Sequence, residues 1–471
     1  MSDSNAINPH AMGDDNALRP VTKEEKSWGW FGIFNVWAND VQSLFGYSLV
    51  ASLFISFGVS GWTAFAALVL SGLFVMYMVN LSGAAGEKYG IPYPVFARAS
   101  MGTAGSKLPA ILRAIVAVFW YGVQVYFAST AVSLLITAIT GATGGEPIMG
   151  LTSVDWIAFL IVWFLHIVVF WQGMGWVERF LNFAGPFVYA VMIALVIVLW
   201  IKADGQLLSS VRTIFANPEG TWGTEFAGFI AIFGTMVAYF AAVMINFSDF
   251  SRYAKDKTAM TKGNLMGLPF NMILFSALAL LTTAGAAVVY GEAIINPTEI
   301  VEKADNVLLS VIAAITFFAA TMGINLVANF IPAVNGIANL SPEKIGFRKA
   351  GLITSAFALV IGGLWTSVIS QIGISGFVNT LGATMAPLFG IVVVDYFIVR
   401  KQQLNVEDLY NTTGGAYHYG NGWHDNALIA FGIAAMFSIA TVWVPVLSQL
   451  SGYAWIIGAG LGGLIYHFRC K

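Results

Sequence analysis

Two pairs of side chains repeat one helical spacing within otherwise apolar sequence. Trp120 and Gln124 lie four residues apart, and so do Asn325 and Asn329. On a helix an i,i+4 pair shares a face, so each pair presents two binding-type side chains in one direction. A further carboxamide, Gln42, stands beside Asn39 and Asp40 in an apolar run. A carboxamide offers both an acceptor and donors, which suits a ligand with amide or ureide edges. A hydrogen bond between helices is the other use open to each of these four amides. Their recurrence on three separate apolar segments favours a shared site.

Trp120 and the Tyr239-Phe240 pair sit in a chain that is 14% aromatic, so each ring alone reads as packing. Next to carboxamides at helical spacing, Trp120 and Phe240 can clamp a flat ring whose faces stack while its edges hydrogen-bond. Asp40 is the one carboxylate placed deep in an apolar segment. A carboxyl group held there can carry a proton, or it can cap unwound backbone or face a water-filled cavity. His166, alone in an apolar run, reads as a packing residue. Asp249 and Asp395 fall at segment ends near Arg252 and Arg400, where anchoring or gating pairs are the ordinary reading. No Walker A loop, HExxH, Cys/His cluster or GxSxG elbow occurs, which favours an ion gradient over ATP as the energy source. A single cysteine, Cys470, excludes an internal disulfide.

The elements that must position these residues follow from composition. Of 471 residues, 58% are hydrophobic and 10% charged, against roughly 25% charged in a soluble domain; mean hydropathy is +0.77. Too few charges exist to cover a water-facing surface, so the expectation is an all-α polytopic membrane protein. Soluble enzymes, nucleic-acid binders and secreted scaffolds are set aside. Residues 1–28 read as a polar tail. Twelve apolar stretches reach the length a helix needs to cross hydrocarbon, about 20 residues. They fall near 29–56, 62–85, 108–139, 154–173, 180–202, 226–248, 266–290, 307–333, 349–369, 374–399, 427–446 and 452–468. Nineteen of the 22 Lys and Arg residues lie in the tails and alternate loops, including Lys88, Arg98, Lys107 and Arg113. The positive-inside rule then puts both termini in the cytoplasm of a plasma-membrane protein.

Paired features recur at nearly one offset. Trp120/Gln124 matches Asn325/Asn329, Gly185-Pro186-Phe187 matches Ala386-Pro387-Leu388, and the polar run Asn39–Gln42 matches Gly234-Thr235 with Tyr239-Phe240. Inverted repeats with paired broken helices are a common plan in secondary transporters. The spacing therefore predicts two five-helix halves, 29–202 and 226–400, with the first and sixth helices broken. A loop at 401–426 and two accessory helices over 427–468 complete the chain.

The runs Trp37-Ala38-Asn39-Asp40-Val41-Gln42, Gly83-Ala84-Ala85-Gly86-Glu87-Lys88-Tyr89-Gly90-Ile91-Pro92, Phe119-Trp120-Tyr121-Gly122-Val123-Gln124 and Ala386-Pro387-Leu388-Phe389-Gly390 resemble the nucleobase:cation symporter-1 family, over about residues 30 to 470. Members of that family carry nucleobases, allantoin, hydantoins or related vitamins, usually with Na⁺ or H⁺. The resemblance implies twelve helices with a five-plus-five inverted repeat. It implies substrate-binding roles for Gln42, Trp120, Gln124, Asn325, Asn329 and Phe240, with Tyr239 beside it, and a gate at Phe377-Val378-Asn379. A Trp stands at the Phe240 place in a hydantoin-carrying member, which suggests a different or smaller ring here. Sodium-coupled members use backbone carbonyls that map to Ala38, Val41 and Ala320, with two hydroxyl side chains that map to Gly323 and Ile324. Neither residue has a side-chain oxygen, so proton coupling with Asp40 as carrier, or uncoupled uptake, is expected in place of Na⁺.

The leading expectation is alternating-access import of a flat polar heterocycle, with no cofactor beyond a coupling ion and with the lipid bilayer as surroundings. No nucleic-acid partner is expected, and a monomer suffices. An amino-acid carrier would need partners for a free carboxylate and ammonium. A membrane enzyme would need a nucleophile or metal constellation that the sequence does not display, and a receptor without transport is the third alternative.

Overall fold

The computed structural model describes residues 18–142, 144–172, 174–340, 344–411 and 413–471. Side chains at 172, 174–186, 339 and 340 lie outside that description; residues 1–17 of the predicted tail and the side chains of the Gly185-Pro186 pair are therefore outside the described residues. The described chain is helical, with three isolated β-bridges. In order, the main helices are α1 (Trp30–Val41), α2 (Leu44–Phe57), α3 (Gly61–Ser82), α4 (Lys107–Thr140), α5 (Ser153–Gln172), α6 (Met174–Lys202), α7 (Trp222–Tyr239) and α8 (Ala241–Ile245). Then come α9 (Asn271–Tyr290), α10 (Val307–Ile324), α11 (Ile331–Leu340), α12 (Phe347–Gly363), α13 (Ile374–Val394), α14 (Asp425–Trp443) and α15 (Ala454–Arg469). Among the described residues seven helical stretches are long and apolar enough to cross a membrane, or up to nine if each of two bent pairs counts as one span. The chain is therefore a multi-pass membrane protein.

The polar run Asn39–Gln42 does end a helix. α1 and α2 meet at 56°, and Ser43 between them is extended, with φ −69° and ψ 155°. A helix start leaves backbone N–H groups without partners. Ser43 Oγ takes the Gly46 N–H at 3.0 Å, and the Thr321 hydroxyl takes the Leu44 N–H at 3.1 Å. Position 46 requires glycine, because a Cβ there would stand 2.7 Å from the Val41 carbonyl oxygen. The second break falls at Phe240, between α7 and α8.

α10 reaches α11 through a π turn over Asn325–Phe330. Pro332 follows, and a proline cannot donate to the carbonyl four residues earlier. That oxygen, on Ala328, instead accepts from Arg113 Nη2 at 2.8 Å. Arg113, counted with the loop cations although it falls in the predicted stretch 108–139, lies inside α4 and is only 4% exposed.

A principal apolar core runs through α1–α4, α7–α10 and α13. A second joins α4 and α5 to α10–α12 around Tyr121, Phe159 and Phe330. α13 packs on α15 through a small-residue seam, where a Cβ on Gly390 would lie 1.9 Å from the Ala459 carbonyl oxygen. Basic loops meet at one end of the bundle. There Arg400 pairs with Asp395 at 2.8 Å and donates to the Ala99 carbonyl, while Arg98 donates to the Leu409 carbonyl.

Candidate substrate site

The two broken helices meet where their backbones come apart. Tyr239 OH, at the end of α7, donates to the Asp40 carbonyl of α1 at 2.9 Å. Its oxygen also lies 3.2 Å from Ser43 Oγ. Because the tyrosine proton is committed to a carbonyl, the serine hydroxyl is the donor in that contact. Ser43 Oγ then accepts the Gly46 N–H and, at 3.5 Å, Gln124 Nε2 from α4.

A second line of contacts reaches Gln42. Its Nε2 stands 3.5 Å from Asn271 Oδ1 at the start of α9, and Tyr189 OH of α6 also donates to that oxygen. The carboxamide oxygens of Gln42, Gln124 and Asn39, and the Asn271 amide nitrogen, are buried without a hydrogen-bond partner among the described residues. An unmade buried hydrogen bond costs roughly 1–3 kcal/mol. Several such atoms around one pair of helix breaks mark a place built for a polar ligand or water.

Aromatic rings form one wall. Trp120 meets Phe45 at 4.9 Å, Phe377 at 5.3 Å and Tyr239 at 5.5 Å between centroids, each edge to face. Trp365 joins through Phe377 at 5.3 Å. Phe240 turns the other way, against Trp37 at 6.1 Å and Tyr239 at 4.8 Å, so Tyr239 is the ring opposite Trp120. Of the expected gate, Phe377 belongs to this wall, Val378 is fully buried, and Asn379 Nδ2 donates to Thr235 Oγ1 of α7 at 3.1 Å.

Asn325 and Asn329 share a face, as the spacing requires, but Asn325 is turned to the second core. It donates to the Tyr121 carbonyl at 3.1 Å and lies 3.4 Å from His166 Nε2. Asn329 Nδ2 donates to Asn325 Oδ1 at 3.0 Å. The Asp40 side chain makes no ion pair among the described residues, and Arg113 lies within electrostatic reach of it. Arg113 also lies within electrostatic reach of Asp249, and its Nε and Nη1 are buried without a hydrogen-bond partner among the described residues. Asp249 itself accepts from the Tyr93 N–H at 2.7 Å and from Asn246 Nδ2 at 3.0 Å.

The carbonyl and hydroxyl positions expected of a sodium site are carried by α1 and α10, which pack against each other. The Ala38 oxygen accepts the Gln42 N–H at 3.3 Å, while Ala320, Gly323 and Ile324 are buried in α10. The α10 hydroxyl bonded to the broken helix is Thr321, and it is engaged with the Leu44 N–H. Sequence reasoning passed over Phe45, Trp365, Ser43, Asn271, Tyr189 and Thr321. It also read Arg113 as a loop residue, although position 113 lies seven residues, two turns, before Trp120.

A family model described as a permease for cytosine/purines, uracil, thiamine and allantoin matches residues 20–458. The chain belongs to this permease family. It is a transporter and not an enzyme. The permease is 32% identical over 455 residues to an allantoin permease of Bacillus subtilis (strain 168), covering 95% of this chain and 91% of that one. It is 30% identical to a putative allantoin permease of Escherichia coli (strain K12), over 95% and 92% of the two chains. A purine-uracil permease of Arabidopsis thaliana is 26% identical, over 95% of this chain and 74% of the relative. Among solved structures, Mhp1, a nucleobase-cation-symport-1 family transporter in a closed conformation with bromovinylhydantoin bound, matches with a TM-score of 0.76. The identity there is 20%, over 97% of this chain and 94% of that one, and the likeness shows that this permease shares the Mhp1 fold.

Proposed function

We propose that this permease imports a flat heterocycle with amide or ureide edges, of the allantoin, hydantoin, uracil or cytosine type, by alternating access coupled to protons. The observation that carries the reading is the set of unpartnered carboxamide atoms on Gln42, Gln124 and Asn271 beside the Trp120 ring wall. Planar rings stack, and their edges supply the missing donors and acceptors. Gln42, Trp120, Gln124, Tyr239 and Asn329 form the site, Asn325 the scaffold behind Asn329, Phe240 its outer support, and Phe377-Val378-Asn379 the gate. In this reading twelve helices cross the membrane as two inverted five-helix halves plus two accessory helices, with both termini cytoplasmic. The names of the 32% and 30% identical relatives support allantoin as the first substrate to try.

Proton coupling is favoured over sodium because a hard cation prefers a shell of oxygen ligands, and positions 323 and 324 supply no side-chain oxygen. The Thr321 hydroxyl is already committed. Asp40 is the proposed proton carrier, next to the helix break and opposite the fixed charge of Arg113. Uptake of labelled allantoin, uracil and hydantoin into proteoliposomes, under separate pH and Na⁺ gradients, tests both parts. Stimulation by Na⁺ alone refutes proton coupling. Saturable uptake lost on Trp120→Ala and on Gln124→Ala supports the site, and uptake indifferent to both refutes it.

A further inference from the structure

His166 lies on α5, fully buried, away from the Trp120 wall. Its Nδ1 stands 2.8 Å from the Val162 carbonyl, which can only accept, so Nδ1 carries the proton and Nε2 keeps a lone pair. The amide end of Asn325 stands 3.4 Å from that Nε2 and 3.1 Å from the Tyr121 carbonyl. Both neighbours are acceptors, so this end of Asn325 is the NH₂. Reversing the amide would lose both contacts at once. Asn325 Oδ1 must then face Asn329, whose amide group is 3.0 Å away and is in turn obliged to donate. Each orientation fixes the next, and the π turn over Asn325–Phe330 holds the two asparagines in that register.

We propose that His166 is a positioning residue that sets the hydrogen-bond polarity of Asn329 through Asn325. Among the described residues Asn329 spends one N–H on Asn325 and keeps its Oδ1 and second N–H. It is 7% exposed, whereas His166 and Asn325 are 0% exposed. That pairing of an acceptor with a donor selects ligands whose edge sets an N–H beside a C=O, as a lactam, imide or ureide does. The selectivity part rests on the reading of Asn329 as a substrate-binding residue given above.

Two measurements separate this role from simple packing. The first needs no ligand: ring-¹⁵N spectra of the full-length protein labelled on its five histidines, with His166→Asn used to assign the His166 signals. The expected spectrum shows a neutral ring protonated on Nδ1, and its Nε2 signal moves in Asn325→Leu. A ring protonated on Nε2, or an Nε2 signal unmoved by Asn325→Leu, overturns the relay.

The second compares His166→Gln, whose Oε1 can take the place of Nε2 as acceptor, with His166→Asn, which reaches only the Nδ1 place. Binding of uracil and hydantoin is measured beside their 3-methyl derivatives. His166→Gln should stay within about twofold of the native affinities. His166→Asn should bind uracil and hydantoin about tenfold more weakly, the usual cost of one lost hydrogen bond, with the 3-methyl compounds little changed. Equal discrimination by both variants and the native protein overturns the proposal. If the native protein binds none of these probes, the heterocycle reading falls, and the ring spectra still decide the relay.

Discussion

Tyr239 and Asp40 are tied backbone to side chain across the two helix breaks: the phenol donates at 2.9 Å to the Asp40 carbonyl, an oxygen left free because α1 ends within a residue. The same phenol oxygen receives Ser43, and its ring faces Trp120. One side chain thus joins both broken helices to the aromatic wall.

Tyr239→Phe keeps the ring and removes both hydrogen bonds. The expected result is a folded protein destabilised by about 1–2 kcal/mol, with substrate counterflow reduced roughly tenfold. Thermal unfolding in detergent and counterflow of labelled allantoin check the two parts.

Asp40→Asn should uncouple transport without abolishing it. Exchange of substrate across proteoliposomes continues, while accumulation driven by an inward proton gradient disappears. Retained gradient-driven accumulation in this variant assigns proton carriage to another group.

Arg113 holds the carbonyl that Pro332 cannot use and offsets two nearby carboxylates, Asp40 and Asp249. Arg113→Met should destabilise by about 3 kcal/mol, because it leaves buried negative charge uncompensated. Adding Asp40→Asn should recover part of that loss, since contacting or electrostatically coupled sites are not additive. Strict additivity in the double variant would remove the proposed coupling between them.

Thr321→Val keeps the shape of α10 but orphans the Leu44 N–H at the start of α2. The loss should be about 1 kcal/mol, the size of a missing helix cap. Thr321→Ser should restore it, and equal melting of the two variants would show that the hydroxyl is idle.

What could be read from sequence was local. The i,i+4 pairs, the polar interruption at Asn39–Gln42 and the apolar lengths depend on neighbours along one helix, and the structure places helices and breaks there. Direction around the axis was not readable. Asn325 and Asn329 do share a face, but whether that face meets Trp120 or His166 depends on how α10 packs on α4 and α5. Phe45 and Trp365 carried no signal, because among so many rings only tertiary packing decides which converge. Arg113 was miscounted because proximity to the helix start looks like a loop. Its two-turn spacing from Trp120 was the available clue. Asn271 follows Pro269 and a π turn, where regular helical spacing no longer tells which way a side chain points.

The seam between α13 and α15 divides α13, the helix of the proposed gate, in two. Below Pro387, Gly390 lies against the α15 backbone with no room for even a methyl group, so this half is splinted to the accessory pair. On the other side of Pro387, Asn379 and Phe377 hold to side chains of α7 and the aromatic wall, and Thr380 Oγ1 accepts from Trp443 Nε1 of α14 at 3.1 Å. The proline lies between them and lacks the N–H that would continue the helix ladder. In the alternating-access reading proposed above, the accessory helices serve as a stator for the Gly390 half, and the exposed Thr380–Trp443 hydrogen bond is a tie the other half would release in order to move.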